Sequence, residues 1–201
     1  MAFEIKPPNP ALRFTRTPAK RTQTRRVILH HYHHETATPQ DVHRWHLDRD
    51  NGAWGGVGYH FMVDIDGTIW RGRDIYAVGV HTLGNNGDSI GIAFQGRYDD
   101  RTQEMPCAQF NAGVWLIRHV FEQFGVLKIL GHREAAASAC PGRFFPLDKI
   151  RDLSVTPQPS SDELTCAADS TIPLSARYRL RTPIAGELFR RLLKRGLKSR
   201  K

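Results

Sequence analysis

The stretch "VILHHYHHETATP", from Val27 to Pro39, joins a short apolar run to four histidines and then to a helix start. The aliphatic residues that open Val27–Tyr32 predict a strand with polar residues at its end. Thr38 followed by Pro39 predicts the N-cap and the first residue of an α-helix, with an acid in the first turn. The stretch therefore predicts a strand followed closely by a helix.

Strand and helix patterns continue to alternate downstream. "YHFMVDIDGTIWRGR" predicts a hairpin with Asp66-Gly67 as its turn, and "SIGIAFQG" and "VLKILGH" predict two more strands. Between these two strands, residues 109–124 predict a helix because one apolar stripe recurs at helical spacing. The stripe consists of Phe110, Val114, Ile117, Phe121 and Phe124. The alternation predicts an α/β fold, with a central mixed β-sheet flanked by helices.

Length and composition favour one main domain with short extensions. The chain has 201 residues, of which 40% are hydrophobic, and this argues against a fully disordered protein. No apolar run approaches the roughly 20 residues needed to span a bilayer. The N-terminal sequence "MAFEIKPPNP" lacks the apolar core of a secretory signal, so we expect the protein to be made in a cytoplasm.

The net charge of +9 is concentrated at the two ends of the chain. We expect a basic N-terminal extension over residues 1–24, a main domain over 25–153, a Pro/Ser linker over 154–170 and a basic tail over 171–201. The tail carries ten Lys or Arg and one acid, and its apolar spacing predicts an amphipathic helix. Such a tail is typical of contact with an anionic membrane or wall polymer. No recognition motif accompanies the charge, so specific nucleic-acid binding is not predicted.

Histidine and cysteine side chains suggest a metal site. In a regular strand His30 and His31 point to opposite faces, so only one of them can enter a given site. His132 and Cys140 are eight residues apart in the loop "GHREAAASACPG", and imidazole and thiolate both suit Zn²⁺. Two ligands from this loop and one from a distant strand would leave the fourth position open, which is the arrangement of a catalytic zinc.

Four motifs in order carry a family resemblance: "LHH", "GVGYHFMVDIDGTIWRGR", "AVGVHTLGNNGDSIGIAFQG" and "GHREAAASACPGRFFP". Together they resemble the type 2 N-acetylmuramoyl-L-alanine amidases, which include phage lysozyme-type endolysins and peptidoglycan recognition proteins. The resemblance covers about Arg25 to Asp152. It implies a peptidoglycan recognition protein-like amidase fold and makes residues 25–153 a zinc amidase catalytic domain with one Zn²⁺.

The resemblance also implies a function. The enzyme would cleave the amide bond between N-acetylmuramic acid and the L-alanine of the stem peptide, with peptidoglycan as its partner. We expect a monomeric phage or prophage endolysin. It would be made in the host bacterial cytoplasm without a signal peptide, and it would act on the cell wall after release.

Particular residues match the family's functional positions. The resemblance implies that His30, His132 and Cys140 hold the zinc and that Tyr59 is the catalytic tyrosine. Three residues are expected to line the substrate groove: His81, Asn86 and Trp54. Ser138 stands where the phage lysozyme type has a lysine, and it is expected to assist the oxyanion or the substrate. Ala93 stands where another branch has a catalytic glutamate, which leaves the general base open.

Two other functions fit parts of the sequence. A non-catalytic module would hold peptidoglycan without cutting it, although the full ligand set favours catalysis. A cysteine hydrolase would use Cys140 as nucleophile and His132 as base, but Pro141 disfavours a nucleophile at a helix start. The remaining thiols, Cys107 and Cys166, are most simply free.

Overall fold

In this computed structural model, a six-stranded sheet with helices around it forms the part of the chain that is described, residues 3–99 and 104–156. The strands are β1 (Ile5–Lys6), β2 (Arg26–His31), β3 (Phe61–Val63), β4 (Ile69–Arg71), β5 (Ser89–Phe94) and β6 (Lys128–Gly131). The helices are α1 (Pro39–Leu47), α2 (Cys107–Phe124), α3 (His132–Ala135) and α4 (Leu147–Val155). Short 3₁₀ turns occupy Arg49–Gly52 and Asn86–Asp88.

The sheet is mixed, as the alternating pattern predicts. Its strand order is β1-β4-β3-β5-β2-β6, and β3 and β4 pair antiparallel while the other neighbours pair parallel. The predicted hairpin is therefore confirmed. Its turn closes with the amide of Gly67 donating to the carbonyl of Asp64. Gly67 has a φ of 86°, a left-handed conformation that favours glycine.

Strand β2 is the most buried part of the sheet. Val27, Ile28 and Leu29 have no exposed surface. The strand is paired on one edge with β5 and on the other with β6, both parallel, so neither edge meets solvent. This position explains why its apolar run is continuous rather than alternating.

Helix α1 covers the sheet face to which His30 belongs. His30 lies in register with Ala93 of β5, and Ala93 lies in register with Met62 of β3. Ala93 and Met62 belong to one buried apolar cluster that includes Val42 of α1. The predicted helix start is confirmed: Thr38 caps the helix, Pro39 occupies its first turn, and Thr38 and Asp41 form a capping box.

Helix α2 covers the opposite face. His31 lies in register with Phe94 of β5, one residue along from the pair on the α1 face. A Cβ atom built on Gly113 of α2 would lie 2.6 Å from the Phe94 ring, so the helix and the strand approach each other closely. The two neighbouring histidines of β2 are thus separated by the thickness of the sheet, as strand alternation predicts.

The ends of the main domain differ from the expected boundaries in detail. Strand β1 of the N-terminal segment pairs with β4, so part of this segment belongs to the sheet. Helix α4 continues to Val155, past the expected start of the linker, and Ser154 is buried within it. The rest of the linker and the basic tail, including the expected amphipathic helix and Cys166, lie outside the described residues. Within the described ranges, no helix combines the length and apolarity needed to cross a membrane.

Cys107 corrects one expectation of the sequence. It was expected to be a free thiol, but it is disulfide-bonded. Cys140 is a free cysteine. A pairing between distant cysteines leaves no local pattern in the sequence, which is why spacing alone did not indicate it.

Arg73 secures the segment that leads to Tyr59. The Arg73 guanidinium is buried and donates to the carbonyls of Trp54, Gly56, Val57 and Val78. Burial lowers its pKa from the ordinary value. A planar group with five N–H donors can satisfy four converging carbonyls at once.

We expect Arg73→Leu to lower the free energy of unfolding by about 3 kcal/mol, because it leaves several buried carbonyls without a donor. Urea denaturation measured by circular dichroism gives the change. Arg71→Leu is the matched control, since Arg71 lies two residues earlier and is exposed; we expect a change within about 0.5 kcal/mol. Equal losses in the two variants would contradict the role assigned to Arg73.

Candidate metal centre

The parallel strands β2 and β6 bring three metal-ligating side chains together. His30 lies near the end of β2, His132 is the first residue of α3 directly after β6, and Cys140 lies in the following loop. Leu29 is in register with Gly131, so the residues that follow them, His30 and His132, lie side by side. Their two ring centroids are 4.7 Å apart. Parallel strands end at the same sheet edge, and this edge is where binding sites of open α/β sheets occur.

The donor atoms fit a single metal ion. One ligand atom from each of His30, His132 and Cys140 lies within 4.8 Å of the others. The Sγ atom of Cys140 is 3.8 Å from Nδ1 of His30, close to the roughly 3.5 Å expected between two ligands of a tetrahedral zinc. Two imidazoles and one thiolate are a ligand set that zinc prefers. Among the described residues, this is the one group of three such side chains found close enough to hold an ion.

The loop that carries Cys140 is held by its own hydrogen bonds. The amide of Arg133 donates to the carbonyl of Cys140 over 2.7 Å. Glu134 accepts from the amide of Gly131 and from Arg151, which ties the loop to β6 and α4. Ser138 accepts from the amide of Cys140 over 3.1 Å, so its hydroxyl contacts the ligand loop. Its role toward an oxyanion or substrate stays a prediction.

Burial keeps the centre uncharged without a metal. Burial lowers the pKa of His30 well below its ordinary value, and the neighbouring histidines lower it further. Burial raises the pKa of the Cys140 thiol to about 12. At neutral pH the metal-free site therefore holds neutral imidazoles and a thiol. Binding of a metal cation to Cys140 would release the thiol proton.

His31 has contacts of a different kind. Its Nδ1 accepts from the amide of Tyr98, and its Nε2 is 3.9 Å from a carboxylate oxygen of Asp99. Only the backbone of His31 approaches the centre, where its amide lies 3.5 Å from the Cys140 sulfur. His33 also pairs with Asp99 at the surface. The structure thus brings His30, and not His31, to the other two metal-ligating residues.

A row of aromatic rings leads from the centre toward the surface. The Tyr59 ring centroid is 5.0 Å from that of His30 and 5.2 Å from that of His46. Trp54 is 4.9 Å from His46, and its indole donates to Asp50. Burial raises the pKa of Tyr59, so the phenol stays protonated and can act as a donor. Tyr59 therefore lies next to the metal centre, whereas Trp54 lies two rings away from His30.

His46 is a residue near the site that sequence reasoning missed. His43 and His46 lie three residues apart on α1. Nδ1 of His43 accepts from the amide of Val57, and Nδ1 of His46 accepts from the amide of Gly58. Both histidines hold the segment that delivers Tyr59. The glycine-rich sequence before Tyr59 was the available signal, because such a segment needs partners for its amides.

His81 and Asn86, two of the residues expected to line the substrate groove, lie in the loop that precedes β5. His81 is 7% exposed, and its Nδ1 is 3.0 Å from Nε2 of His30. The Asn86 side chain accepts from the amides of His81 and Thr82 and so holds their loop. His81 thus lies behind the metal-ligating histidine, and Asn86 supports His81. A direct contact of either residue with substrate stays a prediction.

Comparison with known proteins agrees with this geometry. Residues 20–143 match the family model described as N-acetylmuramoyl-L-alanine amidase. The chain is 33% identical over 105 residues to the endolysin of Escherichia phage T7, a match that covers 51% of this chain and 68% of the endolysin. This match extends over about half of the present chain.

Two solved structures share the fold. The N-acetylmuramoyl-L-alanine amidase LysC from Clostridium intestinale has a TM-score of 0.69 and 28% identity, over 75% of this chain and 97% of that one. A complex of the peptidoglycan recognition proteins LCa and LCx with tracheal cytotoxin has a TM-score of 0.62 and 26% identity, over 70% and 89%. The α/β sheet and its helices are therefore those of amidases and peptidoglycan recognition proteins.

The partly buried His46 makes the stability of the fold depend on pH. Burial lowers the pKa of His46 to about 4, below its ordinary value of 6.5. As the pH falls, the unfolded chain takes up a proton on this side chain before the folded chain does. The stability that neutral His46 contributes is therefore complete above pH 6.5 and is lost as the pH falls toward 4.

We expect His46→Asn to flatten this dependence, while its amide oxygen still accepts from Gly58. Between pH 7.5 and 4.5 the variant should lose about 2 kcal/mol less stability than the wild type. Urea denaturation at a series of pH values, with a chelator present, gives the two curves. His119→Asn is the control, because the His119 side chain is 44% exposed on α2. Parallel curves for wild type and His46→Asn would show that this pKa argument is wrong.

Proposed function

Because the chain belongs to the N-acetylmuramoyl-L-alanine amidase family, we propose that it is a zinc-dependent peptidoglycan hydrolase. It would cut the amide bond between N-acetylmuramic acid and the L-alanine of the stem peptide. The observation that carries the proposal is the convergence of His30, His132 and Cys140 beside Tyr59. These four side chains come from three separate parts of the chain and offer both a metal site and a hydrogen-bond donor.

The substrate class follows from the relatives. The related T7 protein is an endolysin, and the related recognition proteins LCa and LCx bind tracheal cytotoxin. We propose peptidoglycan as the substrate of this chain on that basis. The endolysin relative also supports a phage or prophage origin, in which the enzyme is made in a bacterial cytoplasm and reaches the wall after release.

The residues of the chain divide the chemistry between them. Zn²⁺ bound to His30, His132 and Cys140 would supply a Lewis acid that polarises an amide carbonyl and acidifies water. Tyr59 lies beside this position with a protonated phenol, so it can donate a hydrogen bond to the oxyanion that develops on the substrate carbonyl.

Tyr59 would donate to the oxyanion without help from a carboxylate on β5. Ala93 lies in register with His30 and is fully buried, at the position where a family branch has glutamate. Strand β5 therefore provides no acid or base next to His30. Tyr59 would act as a hydrogen-bond donor, and the identity of the general base stays open.

The cysteine-hydrolase alternative is disfavoured by the environment of Cys140. A nucleophilic cysteine needs a pKa low enough to form a thiolate, but burial raises the pKa of Cys140 to about 12. Cys140 also lies in a loop rather than at the start of a helix. The same thiol becomes a good ligand once a metal cation displaces its proton.

We expect wild-type protein to bind about one zinc per chain and His30→Ala to lose both zinc and activity. The loss of activity should be at least about 10³-fold, because a Lewis acid contributes several kcal/mol to the barrier. Metal content is measured by atomic emission, and activity by release of amines from purified peptidoglycan, before and after chelation.

His31→Ala is the matched control for His30→Ala. His31 is the neighbouring histidine on the same strand, but its side chain contacts Tyr98 and Asp99. We expect this variant to keep its zinc. Lysis that survives chelation would overturn the amidase proposal in favour of a cysteine hydrolase. Bound zinc without bond cleavage would instead identify a binding module.

We expect Tyr59→Phe to lower kcat by about 10²-fold, because the oxyanion loses one donor. Zinc content should not change, since the phenol is not one of the three ligands. Tyr76→Phe is a suitable control, because Tyr76 is 49% exposed and lies outside the ring row at the centre. Equal activity of Tyr59→Phe and wild type would remove Tyr59 from the mechanism.

A further inference from the structure

The side of the His30 ring that faces away from the metal centre contacts a second buried histidine. Nδ1 of His30 faces the Cys140 sulfur at 3.8 Å, and Nε2 is 3.0 Å from Nδ1 of His81. The two rings meet edge to face with centroids 5.0 Å apart. Thr82 places its hydroxyl 3.1 Å from the same His81 nitrogen. His81 is 7% exposed, so solvent contributes little to this contact.

The His81 ring lies in a slot that two glycines leave open. A Cβ atom on Gly79 would be 2.5 Å from the His81 ring, and a Cβ atom on Gly91 would be 2.6 Å from it. Real Cβ atoms do not approach so closely, so any other residue at either position would displace the imidazole. The amide of His81 is also held by the Asn86 side chain. The backbone and the side chain of His81 are therefore both fixed in place.

The hydrogen bonds that link His30, His81 and Ser89 can each be assigned a donor and an acceptor that agree with one another. If Nδ1 of His30 offers its lone pair to a metal, Nε2 carries the proton and donates to Nδ1 of His81. His81 then carries its own proton on Nε2, which lies 3.4 Å from the hydroxyl of Ser89. Ser89 in turn donates to the carbonyl of Asn85 over 2.5 Å. The chain of donors ends at a backbone carbonyl, which can only accept.

From this arrangement we infer that His81 is a positioning residue for the metal ligand His30. It accepts the Nε2 proton of His30, holds the His30 ring in the tautomer that presents Nδ1, and is itself oriented by Ser89. Metal-ligating histidines commonly donate their second nitrogen to a carboxylate, a carbonyl or water. Here a neutral imidazole takes that place. The inference rests on the proposed zinc site and deepens it.

A neutral imidazole in place of a carboxylate lowers the desolvation cost of the group that accepts from His30. The part of the sheet behind His30 is buried, and the described contacts of His30 and His81 include no carboxylate. A buried carboxylate would bring a desolvation cost that an imidazole avoids. Loss of the acceptor would leave the buried Nε2–H of His30, in the Nδ1-ligating tautomer, with only the Thr82 hydroxyl at the longer distance of 3.5 Å. The His30 ring could then change tautomer or rotate, and zinc affinity would fall.

The test compares zinc affinity in the full chain with His81→Leu and His81→Asn. Leucine fills the space but accepts no hydrogen bond, whereas the asparagine oxygen can occupy the place of Nδ1. Competition with a fluorescent zinc chelator gives the dissociation constants. We expect His81→Leu to bind zinc 10- to 100-fold more weakly, as for other outer partners of metal ligands, and His81→Asn to recover most of the affinity.

His60→Leu is the matched control for a structural effect. His60 is a fully buried histidine beside His81, but its ring nitrogens contact the amide of Gly91, the carbonyl of Ala77 and Arg21. We expect this variant to be less stable but to bind zinc within about 3-fold of wild type. Equal weakening in His60→Leu and His81→Leu would overturn the inference.

If His81→Leu does not fold, Ser89→Ala provides a second test. This variant should weaken zinc binding several-fold through the same chain of hydrogen bonds, and unchanged affinity would overturn the inference.

Nitrogen-15 NMR of the metal-free wild type reads the tautomer directly. We expect the proton of His30 to lie on Nε2 in the wild type, and we expect the fraction of this tautomer to change in His81→Leu. A proton on Nδ1 of His30 would overturn the inference independently of zinc. If the wild type binds no zinc, both the proposed function and this inference are wrong. If the wild type and His81→Leu bind zinc with equal affinity, the inference is wrong but the proposed function is not affected.

Discussion

The parallel pairing of β2 with β5 on one edge and β6 on the other is the constraint on which the rest of the site depends. It sets Leu29 opposite Gly131, so the next residues, His30 and His132, meet at the same edge of the sheet. It also sets His30 opposite Ala93, a side chain small enough to leave room above the sheet. A shift of one residue in β2 would send His30 to the face of α2 and remove it from the site.

The interior around the site is polar, and its buried histidines pair with groups other than carboxylates. His30, His60 and His81 are buried, and burial lowers the pKa of each. Their ring nitrogens contact one another, hydroxyl groups, the backbone, a thiol sulfur or the Arg21 guanidinium. The buried Arg73 likewise donates to backbone carbonyls. Networks of this kind specify one arrangement because each missing partner costs free energy.

Much of the fold was predictable from local patterns in the sequence. The apolar run of β2, the Thr38 cap of α1 and the Asp66-Gly67 turn each depend on neighbouring residues, and each is present in the structure. The metal-ligating side chains were implied by the resemblance of four motifs to the amidase family, since ten histidines and three cysteines do not single out three ligands by themselves. Strand alternation allowed only one of His30 and His31 in the site, and the family motif pointed to His30.

The tertiary structure decided what lies behind those residues. His81 is 51 residues from His30, and its place beneath the ligand depends on the slot between Gly79 and Gly91. His46 likewise contacts Tyr59 only because α1 packs across the sheet. The sequence by itself determined the strands and the caps, which follow from local geometry, and the candidate ligands, which follow from the resemblance of its motifs to the amidase family. The partners that hold each ligand were set only by long-range packing, because contacts between distant segments leave no periodic trace in the chain.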